Sequence, residues 1–361
     1  MNGELIQGLS SIAYEALMKR PLVFLCLLIA GRAFAEDALQ PPPRIHIGGF
    51  ADLIVRTTSP NIAALDLFAT VRLGDAWSGL AEAIAQKTWR DDDPQGEIAE
   101  LDLERLYLSY RTSDAFRVEI GQTHTGIVRW NEREHRSRFL QTPIDVPAIA
   151  RRPQDDGAWP LRFVGVWAAG RAGGPLALTW EAGVGAGPGA ERDVIPILSR
   201  DRSPAGFVSF AIAPESISGL DFGAAFYAQH VPSKPDALRE RDLTLFTNYV
   251  NGGTEVRAEW ARMNHSLTRM RTTFHNQGYY VLISRRLPGS AGHARPYVLL
   301  DRQTIDPLDP YLASSASEKA WVGGVRYDFT PRLTGKVEHR SQRAAPGGSQ
   351  SILSFQLSVS F

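Results

Sequence analysis

The chain has 361 residues, with 39 basic and 39 acidic side chains. This length allows one large or two ordinary domains, and the flat charge balance argues against nucleic acid as a partner bound through overall charge. No run of about eighteen apolar residues occurs, so the sequence predicts no transmembrane helix.

The first 35 residues have the design of a secretory signal peptide. Basic residues precede an apolar run over 21–30, and Ala33 and Ala35 form the small-residue cleavage signal that follows it. We expect cleavage after Ala35, with Met18 as the true start of the signal. The only cysteine, Cys26, lies inside this segment. The mature chain is therefore expected to lack disulfides, thiol catalysis and cysteine-bound metal, and we predict no cofactor and no metal site.

After a short extended leader at 36–43, the sequence is a succession of alternating segments separated by turn residues. Side chains alternate across a strand, so a segment with one apolar and one polar face predicts a strand between two different surroundings. About ten residues is the length that a tilted strand needs to cross a membrane. We predict sixteen strands near 44–57, 63–73, 77–89, 98–111, 116–127, 161–170, 175–185, 205–213, 220–230, 242–250, 254–263, 278–286, 294–302, 319–329, 333–341 and 351–361.

The last strand has the clearest pattern. Leu353, Phe355 and Leu357 lie on one face, and Ser354 and Gln356 lie on the other. An apolar exterior opposite a polar interior is typical of transmembrane β-barrels. In the first strand, by contrast, Phe50 and Ile54 interrupt the polar face. An edge strand of a soluble sandwich would explain the last segment alone, but it would not explain sixteen such segments.

The connections predict the topology. Short turns such as Gly74-Asp75 and Asn251-Gly252-Gly253 follow strands 2, 4, 6, 10 and 14, whereas most odd strands are followed by longer, charged joins. Short periplasmic turns and long extracellular loops are the arrangement of outer-membrane barrels. The predicted fold is therefore an all-β, antiparallel, up-and-down transmembrane barrel of about 16 strands over residues 44–361. Aromatic residues near the short turns predict one interfacial girdle: Trp77, Tyr110, Phe116, Phe222, Phe329 and Phe361.

The longest join, at about 128–160, is the third long loop. Hairpin sequences such as Leu103-Glu104-Arg105-Leu106-Tyr107-Leu108-Ser109-Tyr110, followed by Val118-Glu119-Ile120-Gly121-Gln122, resemble the trimeric bacterial porins, loosely the phosphate-selective porin O and P family. The resemblance implies a homotrimer and a third loop that narrows the lumen. It also implies that the closing strand, ending on Phe361, is read by the barrel-assembly machinery. The lysine-rich ladder of a phosphate-selective channel is absent from the sequence.

Charges in the third loop and on the inward strand faces are the candidate selectivity residues. Opposed charges across a water-filled constriction set ion selectivity, and sixteen strands leave an aqueous channel. Ordinary ion pairing is an equally good interpretation for any single arginine. The loop candidates are Arg129, Arg133, Arg136, Arg138, Arg151 and Arg152 with Glu132, Glu134, Asp145, Asp155 and Asp156. The wall candidates are Arg56, Arg72, Arg105, Arg111, Arg117, Lys336 and Arg340 with Asp52, Asp66, Glu119 and Glu338.

The sequence favours a porin in the bacterial outer membrane that admits small hydrophilic solutes or ions by passive diffusion. Its partners would be outer-membrane lipid and lipopolysaccharide. A barrel plugged by the third loop, with a structural or surface-adhesion role, is the alternative, and an open lumen lined by unpaired charges would distinguish the two. An outer-membrane hydrolase is a third hypothesis, resting on the adjacent pairs His265-Ser266 and His124-Thr125. It would require a His-Ser-acid cluster on the outer wall, and no Gly-x-Ser-x-Gly motif is present.

Overall fold

The computed structural model describes residues 44–58, 60–90, 93–134, 137–152, 157–189, 203–232, 236–345 and 347–361. The side chains of residues 90, 93–97 and 133 are not among those described. The predicted signal peptide and leader lie outside these ranges. No helix within the described part of the chain is long and apolar enough to cross a membrane.

Sixteen strands form, as the alternation predicted. They are β1 (Arg44–Arg56), β2 (Asn61–Leu73), β3 (Trp77–Arg90), β4 (Asp93–Ser113), β5 (Phe116–His124), β6 (Arg162–Ala172), β7 (Leu178–Gly187), β8 (Ser203–Ile212), β9 (Leu220–Val231), β10 (Leu238–Asn251), β11 (Thr254–Leu267), β12 (Thr273–Arg285), β13 (Ala294–Thr304), β14 (Ser317–Thr330), β15 (Leu333–Ala345) and β16 (Gly348–Ser360). A short helix, α1 (Arg129–Arg133), and a 3-10 turn at Ala148–Ala150 lie between β5 and β6, and a second 3-10 turn is at Gly289–Ala291.

Several strands extend further towards the long-loop rim than their apolar pattern predicted. β10 begins at Leu238 and β12 at Thr273, four and five residues before the predicted starts. In these extensions the outward residues are polar, such as Arg239, Arg241 and His275, while backbone pairing continues. The alternation of apolar and polar side chains ends where the outward face becomes polar. The backbone hydrogen bonds between the strands continue beyond that point.

The sheet closes on itself. Every strand pairs antiparallel with its neighbours in the chain, and β1 pairs with β16 from Phe50 opposite Ser360 to Arg56 opposite Ser354. The amide groups of Gly49 and Phe361 complete the seam, each N–H donating to the other's carbonyl at 3.0 Å. A closed sheet leaves no unpaired edge, which is what a barrel needs in lipid.

The two faces of the barrel differ as the sequence predicted. Outward side chains are apolar and exposed; Ile47 is 70% exposed and Val184 72% exposed. In β16, Ser354, Gln356 and Ser358 are buried inside. Aromatic pairs lie at the short-turn rim, with ring centroids 4.7 Å apart for Trp77 and Tyr110.

The inner face has two unlike parts. The apolar wall, on β6, β8, β9 and β11–β14, carries inward aromatic and aliphatic side chains. Its members are Phe163, Trp167, Phe207, Ala225, Tyr227, Ala261, Met263, Tyr280, Leu282, Tyr297, Leu299 and Val322. The polar wall, on β1–β4, β15 and β16, carries buried charged and amide groups. Its members are Asp52, Asp66, Glu82, Gln86, Arg105, Lys336, Glu338, Arg340 and Gln356.

Candidate functional site

The segment between β5 and β6 is termed the inner loop (residues 125–161), and its described residues, 125–134, 137–152 and 157–161, lie within the barrel. Backbone amides along it donate to carboxylates on inward faces of different strands. Arg129 donates to Glu259 on β11 at 2.6 Å, and Ile144 donates to Glu338 on β15 at 2.8 Å. Ala148 donates to both oxygens of Asp301 on β13, at 3.1 and 3.0 Å. The sequence could not locate this loop, and these contacts place it across the lumen.

Against the apolar wall, the inner loop packs like an ordinary protein core. Trp130 is 2% exposed and meets the ring of Tyr280 edge-on at a centroid distance of 5.4 Å. Ile149 lies so close to Gly278 of β12 that a Cβ on that glycine would be 2.3 Å from its Cγ2 atom. Glycine at this inward position therefore allows the loop to approach the strand.

Apolar residues that interrupt the polar wall are also contact points for the loop. Phe50 stacks on Phe139 with ring centroids 5.7 Å apart, and Ile54 packs with Ile144 in a small buried cluster. The interruptions in the polar face of the first predicted strand therefore have a function: they receive loop side chains.

Basic wall residues hold the loop's main chain. The Nζ atom of Lys336 donates to the carbonyl oxygens of Arg138 at 2.5 Å and Pro143 at 3.0 Å. Arg326 donates to the carbonyls of Phe139 at 2.7 Å and Gln141 at 2.8 Å. A buried loop with little secondary structure needs partners for its backbone groups, and wall charges supply them.

Arg151 fixes the loop to β14. It donates two hydrogen bonds of 2.8 Å to the two oxygens of Glu318, and Arg340 of β15 contacts the same carboxylate and Asp301. Burial alone would lower the pKa of the Arg151 guanidinium, but Glu318 outweighs burial, so this pKa lies above its ordinary value. Arg151 is thus a charged anchor at all ordinary pH values.

Asp145 of the loop pairs with Arg56 of β1. Burial alone would raise the pKa of this carboxyl, but the guanidinium of Arg56, with weaker help from Arg340 and Arg151, lowers it to about 2. The pair is therefore fully ionised near neutral pH.

The other described loop charges also have partners. Arg129 pairs with Glu132, and Glu134 pairs with Arg257 of β11. Arg138 and Arg152 both donate to the Oε1 atom of Gln86 on β3, at 3.4 and 2.9 Å. Four predicted constriction side chains lie outside the described part of the structure: Arg133, Arg136, Asp155 and Asp156.

Four basic wall candidates, Arg72, Arg105, Arg111 and Arg117, do not contact the loop through any hydrogen bond or ion pair found among the described residues. Arg105 pairs with Glu82, and Arg117 lies 3.2 Å from Glu119. Arg111 sits beside the β4–β5 turn, 3.8 Å from Asp114 and 61% exposed at its side chain. Arg72 is exposed near the end of β2 at the same rim.

A cavity of about 60 Å³ lies between part of the inner loop and the polar wall. Its wall side is formed by Asp52, Ala64, Asp66, Ile84 and Gln86, and its loop side by Ser137, Arg138, Gln141, Val146, Ala150 and Arg152. Carboxylates on one side thus face two arginines on the other. Sequence reasoning named the charges and missed Gln86, Ser137 and Gln141, because uncharged polar residues carry no distinctive pattern.

The histidine–hydroxyl pairs do not form catalytic dyads. His265 points inward, where it contacts Asp309 at 2.7 Å and Glu240 at 3.2 Å, whereas Ser266 points outward and shares a 3.1 Å hydrogen bond with Thr273. Adjacent strand residues point to opposite faces. His124 contacts Glu104 at 3.0 Å, and the Thr125 hydroxyl donates to the carbonyl of Pro160 at 2.5 Å.

No protein-family model matches the sequence, and no curated protein matches it. Solved structures do share its fold. An anion-selective porin from Comamonas acidovorans has a TM-score of 0.59 at 13% identity, over 88% of this chain and 100% of that one. The outer-membrane channel DcaP of Acinetobacter baumannii has a TM-score of 0.59 at 12% identity, over 90% of this chain and 99% of that one. The trimer form of OmpT, an outer-membrane protein of Vibrio cholerae, has a TM-score of 0.55 at 8% identity, over 89% and 100%. The chain therefore has the closed sixteen-stranded fold of the outer-membrane porins.

Proposed function

We propose that this protein is an outer-membrane porin, a passive diffusion channel for small hydrophilic solutes or ions. The observation that carries the proposal is the inner loop docked inside a closed barrel of sixteen strands. A barrel of this size is too wide for its own wall side chains to fill, so the loop sets the width of the passage. Closeness to the phosphate-selective porin O and P family stays a prediction.

The mechanism is sieving combined with electrostatic filtering along the polar wall. The apolar wall is covered by the loop's core, whereas charged, hydroxyl and amide groups line the gap between loop and polar wall, together with Ala64, Ile84, Val146 and Ala150. Arg138 and Arg152 on the loop face Asp52 and Asp66 on the wall, which would set a field across the passage. Among the described residues, these two arginines are the ones that line the cavity, and Arg151 serves as an anchor.

A plugged, non-conducting barrel with a structural or surface-adhesion role is the second candidate. It is favoured by the small size of the cavity and by the anchoring of the loop to both walls. In that case the same loop contacts would serve stability alone.

Single-channel recording of the refolded mature protein in a planar bilayer tests the proposal. Discrete conducting steps, with a reversal potential under a salt gradient, are the expected result. A folded barrel that never conducts would overturn the porin and leave the plugged barrel.

Outer-membrane lipid and lipopolysaccharide are the proposed surroundings. The outward belt is apolar, and cations lie above it at the long-loop ends of β13–β15, where Arg302 is opposite Lys319 and Lys319 is opposite Arg343. Like charges directly opposite repel one another, and phosphate groups between them would relieve the repulsion. A homotrimer is proposed from the sequence resemblance and from the trimer form of one structure that shares this fold.

Export through the inner membrane by the cleaved signal peptide and assembly through Phe361 complete the proposal. Phe361 is an exposed outward aromatic whose backbone closes the β1–β16 seam. Phe361→Ala is expected to lower the yield of assembled barrel in cells severalfold. Phe329→Ala, which removes an equally exposed outward aromatic, is the matched control and should assemble normally. Equal yields of the two variants would contradict a role for Phe361 in assembly.

A further inference from the structure

The carboxylate of Asp66 is unusual among the charges inside this barrel. Asp66 is 3% exposed, and neither of its oxygens has a hydrogen-bond partner. A buried ionised carboxylate without a partner is costly, so such groups are paired, bind cations or take up a proton. The Asp66 side chain also lines the cavity between the inner loop and the polar wall. The unpartnered group and the empty space adjoin each other.

Neighbouring carboxylates repel the negative charge of Asp66, so a positive charge beside it would be stabilising. Asp52 on β1 is opposite Ala64, and Glu82 on β3 is opposite Phe68, so both carboxylates are diagonal neighbours of Asp66 on the inward face. Diagonal positions in antiparallel strands are about 7–8 Å apart, near enough for charges to interact. Glu82 is neutralised by Arg105. Asp52 and Asp66 have no lysine or arginine partner among the described residues.

Asp52 is held by neutral donors. Its Oδ1 atom accepts from Gln356 at 3.1 Å and from the hydroxyl of Ser358, and its Oδ2 atom accepts from Ser137 of the loop at 3.4 Å. These bonds orient the carboxylate beside the cavity, and none of them comes from a lysine or an arginine. Two neighbouring carboxylates that form no direct ion pair therefore meet the cavity, whose loop side carries Arg138 and Arg152.

We infer that Asp66, with Asp52, forms a binding site for a cationic group of a permeating solute, such as a primary ammonium or a dehydrated monovalent metal ion. The cavity of about 60 Å³ holds a group of that size, since a water molecule needs roughly 10–15 Å³ of such space. This inference rests on the proposed channel function and gives the passage a preference for cations. The loop arginines, held against Gln86, set the opposite side of the passage.

The experiment compares the wild-type protein with Asp66→Asn and with the control Asp236→Asn. Asp236 is a buried carboxylate in the β9–β10 loop, outside the cavity, and accepts a hydrogen bond from the backbone N–H of Arg269 at 2.9 Å. Both changes remove one negative charge and keep the side-chain shape. The readouts are the reversal potential in a potassium chloride gradient and the block of the current by ethylammonium.

Wild type and Asp236→Asn are expected to prefer potassium over chloride and to be blocked by ethylammonium. In Asp66→Asn the block should weaken by about tenfold or more, the usual effect of losing a hydrogen bond to a charged group. The cation preference should fall with it. Equal behaviour of all three proteins, or preference for chloride in wild type, would overturn the inference and leave the channel intact.

A second readout does not depend on conduction. Thermal unfolding of the folded barrel in detergent is followed in sodium or ethylammonium chloride and, at equal ionic strength, in tetrapropylammonium chloride, whose four propyl chains make its cation larger than the cavity. A ligand that binds only the folded state raises the unfolding temperature. Wild type should be stabilised by the small cations and Asp66→Asn should not. No difference between the salts would overturn the site even if the barrel does not conduct.

Discussion

The apolar and polar walls hold the same loop by opposite means. On the apolar wall, Trp130 and Ile149 exclude water and pack against Tyr280 and Gly278. On the polar wall, single ion pairs and hydrogen bonds such as Arg56–Asp145 fix the loop at points, and a gap remains between them. Dispersion and hydrophobic burial stabilise a continuous contact surface, whereas a buried charge is stable only where it has a partner. In the proposed channel, the passage therefore lies where the wall is charged.

The largest expected effect comes from removing the packing on the apolar wall. Trp130→Ala deletes a buried ring, and such truncations cost about 3–5 kcal/mol. We expect the loop to leave the wall, single-channel conductance to rise severalfold, and protease added to the folded barrel to cut the loop. Trp321→Ala, which removes a 56% exposed outward ring of the same size, should change neither readout. Unchanged conductance in the Trp130 variant would mean that the loop is held by its charged contacts alone.

A smaller effect is expected from removing the ion pair between Arg151 of the loop and Glu318 of β14. Arg151→Ala should weaken loop docking by about 2–3 kcal/mol, because its two hydrogen bonds to Glu318 are lost while Arg340 keeps that carboxylate paired. Thermal unfolding and conductance of Arg151→Ala, Glu318→Gln and the double variant form a mutant cycle. Additive effects would show that the pair contributes no coupling, which would contradict this assignment.

The smallest effect is acid-dependent. Because the pKa of Asp145 falls from an ordinary 3.8 to about 2 when the loop is docked, the ionised pair stabilises docking above about pH 4. That stabilisation, about 2 kcal/mol, is lost as the pH falls from about 4 to about 2. Conductance should therefore become noisier or larger over this range in wild type. Asp145→Asn should show the same loosened loop at pH 6 and less further change on acidification; an identical acid response in both would assign the effect to other groups.

Much of the fold could be predicted from sequence because lipid imposes a simple rule on strands. The alternation of Leu353, Phe355 and Leu357 with Ser354 and Gln356 follows from an apolar exterior and a polar interior, and it gives strand number and order directly. The strand ends were less accurate where outward residues such as Arg239 are polar, since pairing there continues beyond the apolar belt.

The sequence predicted which charged residues contribute to the candidate site, but not how those residues are arranged in space. Lys336, Glu338 and Arg340 were predicted to line the pore, and each of them contacts the inner loop or its partners. Asp301 on β13 and Glu318 on β14 also anchor the loop. Their sequence context predicted only that they point inward. Phe50 and Ile54 were visible as interruptions of a polar face, but the loop residues that cover them lie some ninety residues further along the chain.

By itself, the sequence determined the barrel, because the alternation of apolar and polar side chains is a local pattern. In each strand that pattern indicates which face meets lipid. Only the tertiary structure decided what fills the barrel. The placement of the inner loop depends on pairings between residues far apart in the chain, such as Ile144 with Glu338 and Ala148 with Asp301. No local pattern distinguishes a carboxylate that anchors a backbone amide from one that, like Asp66, is left without a partner beside a cavity.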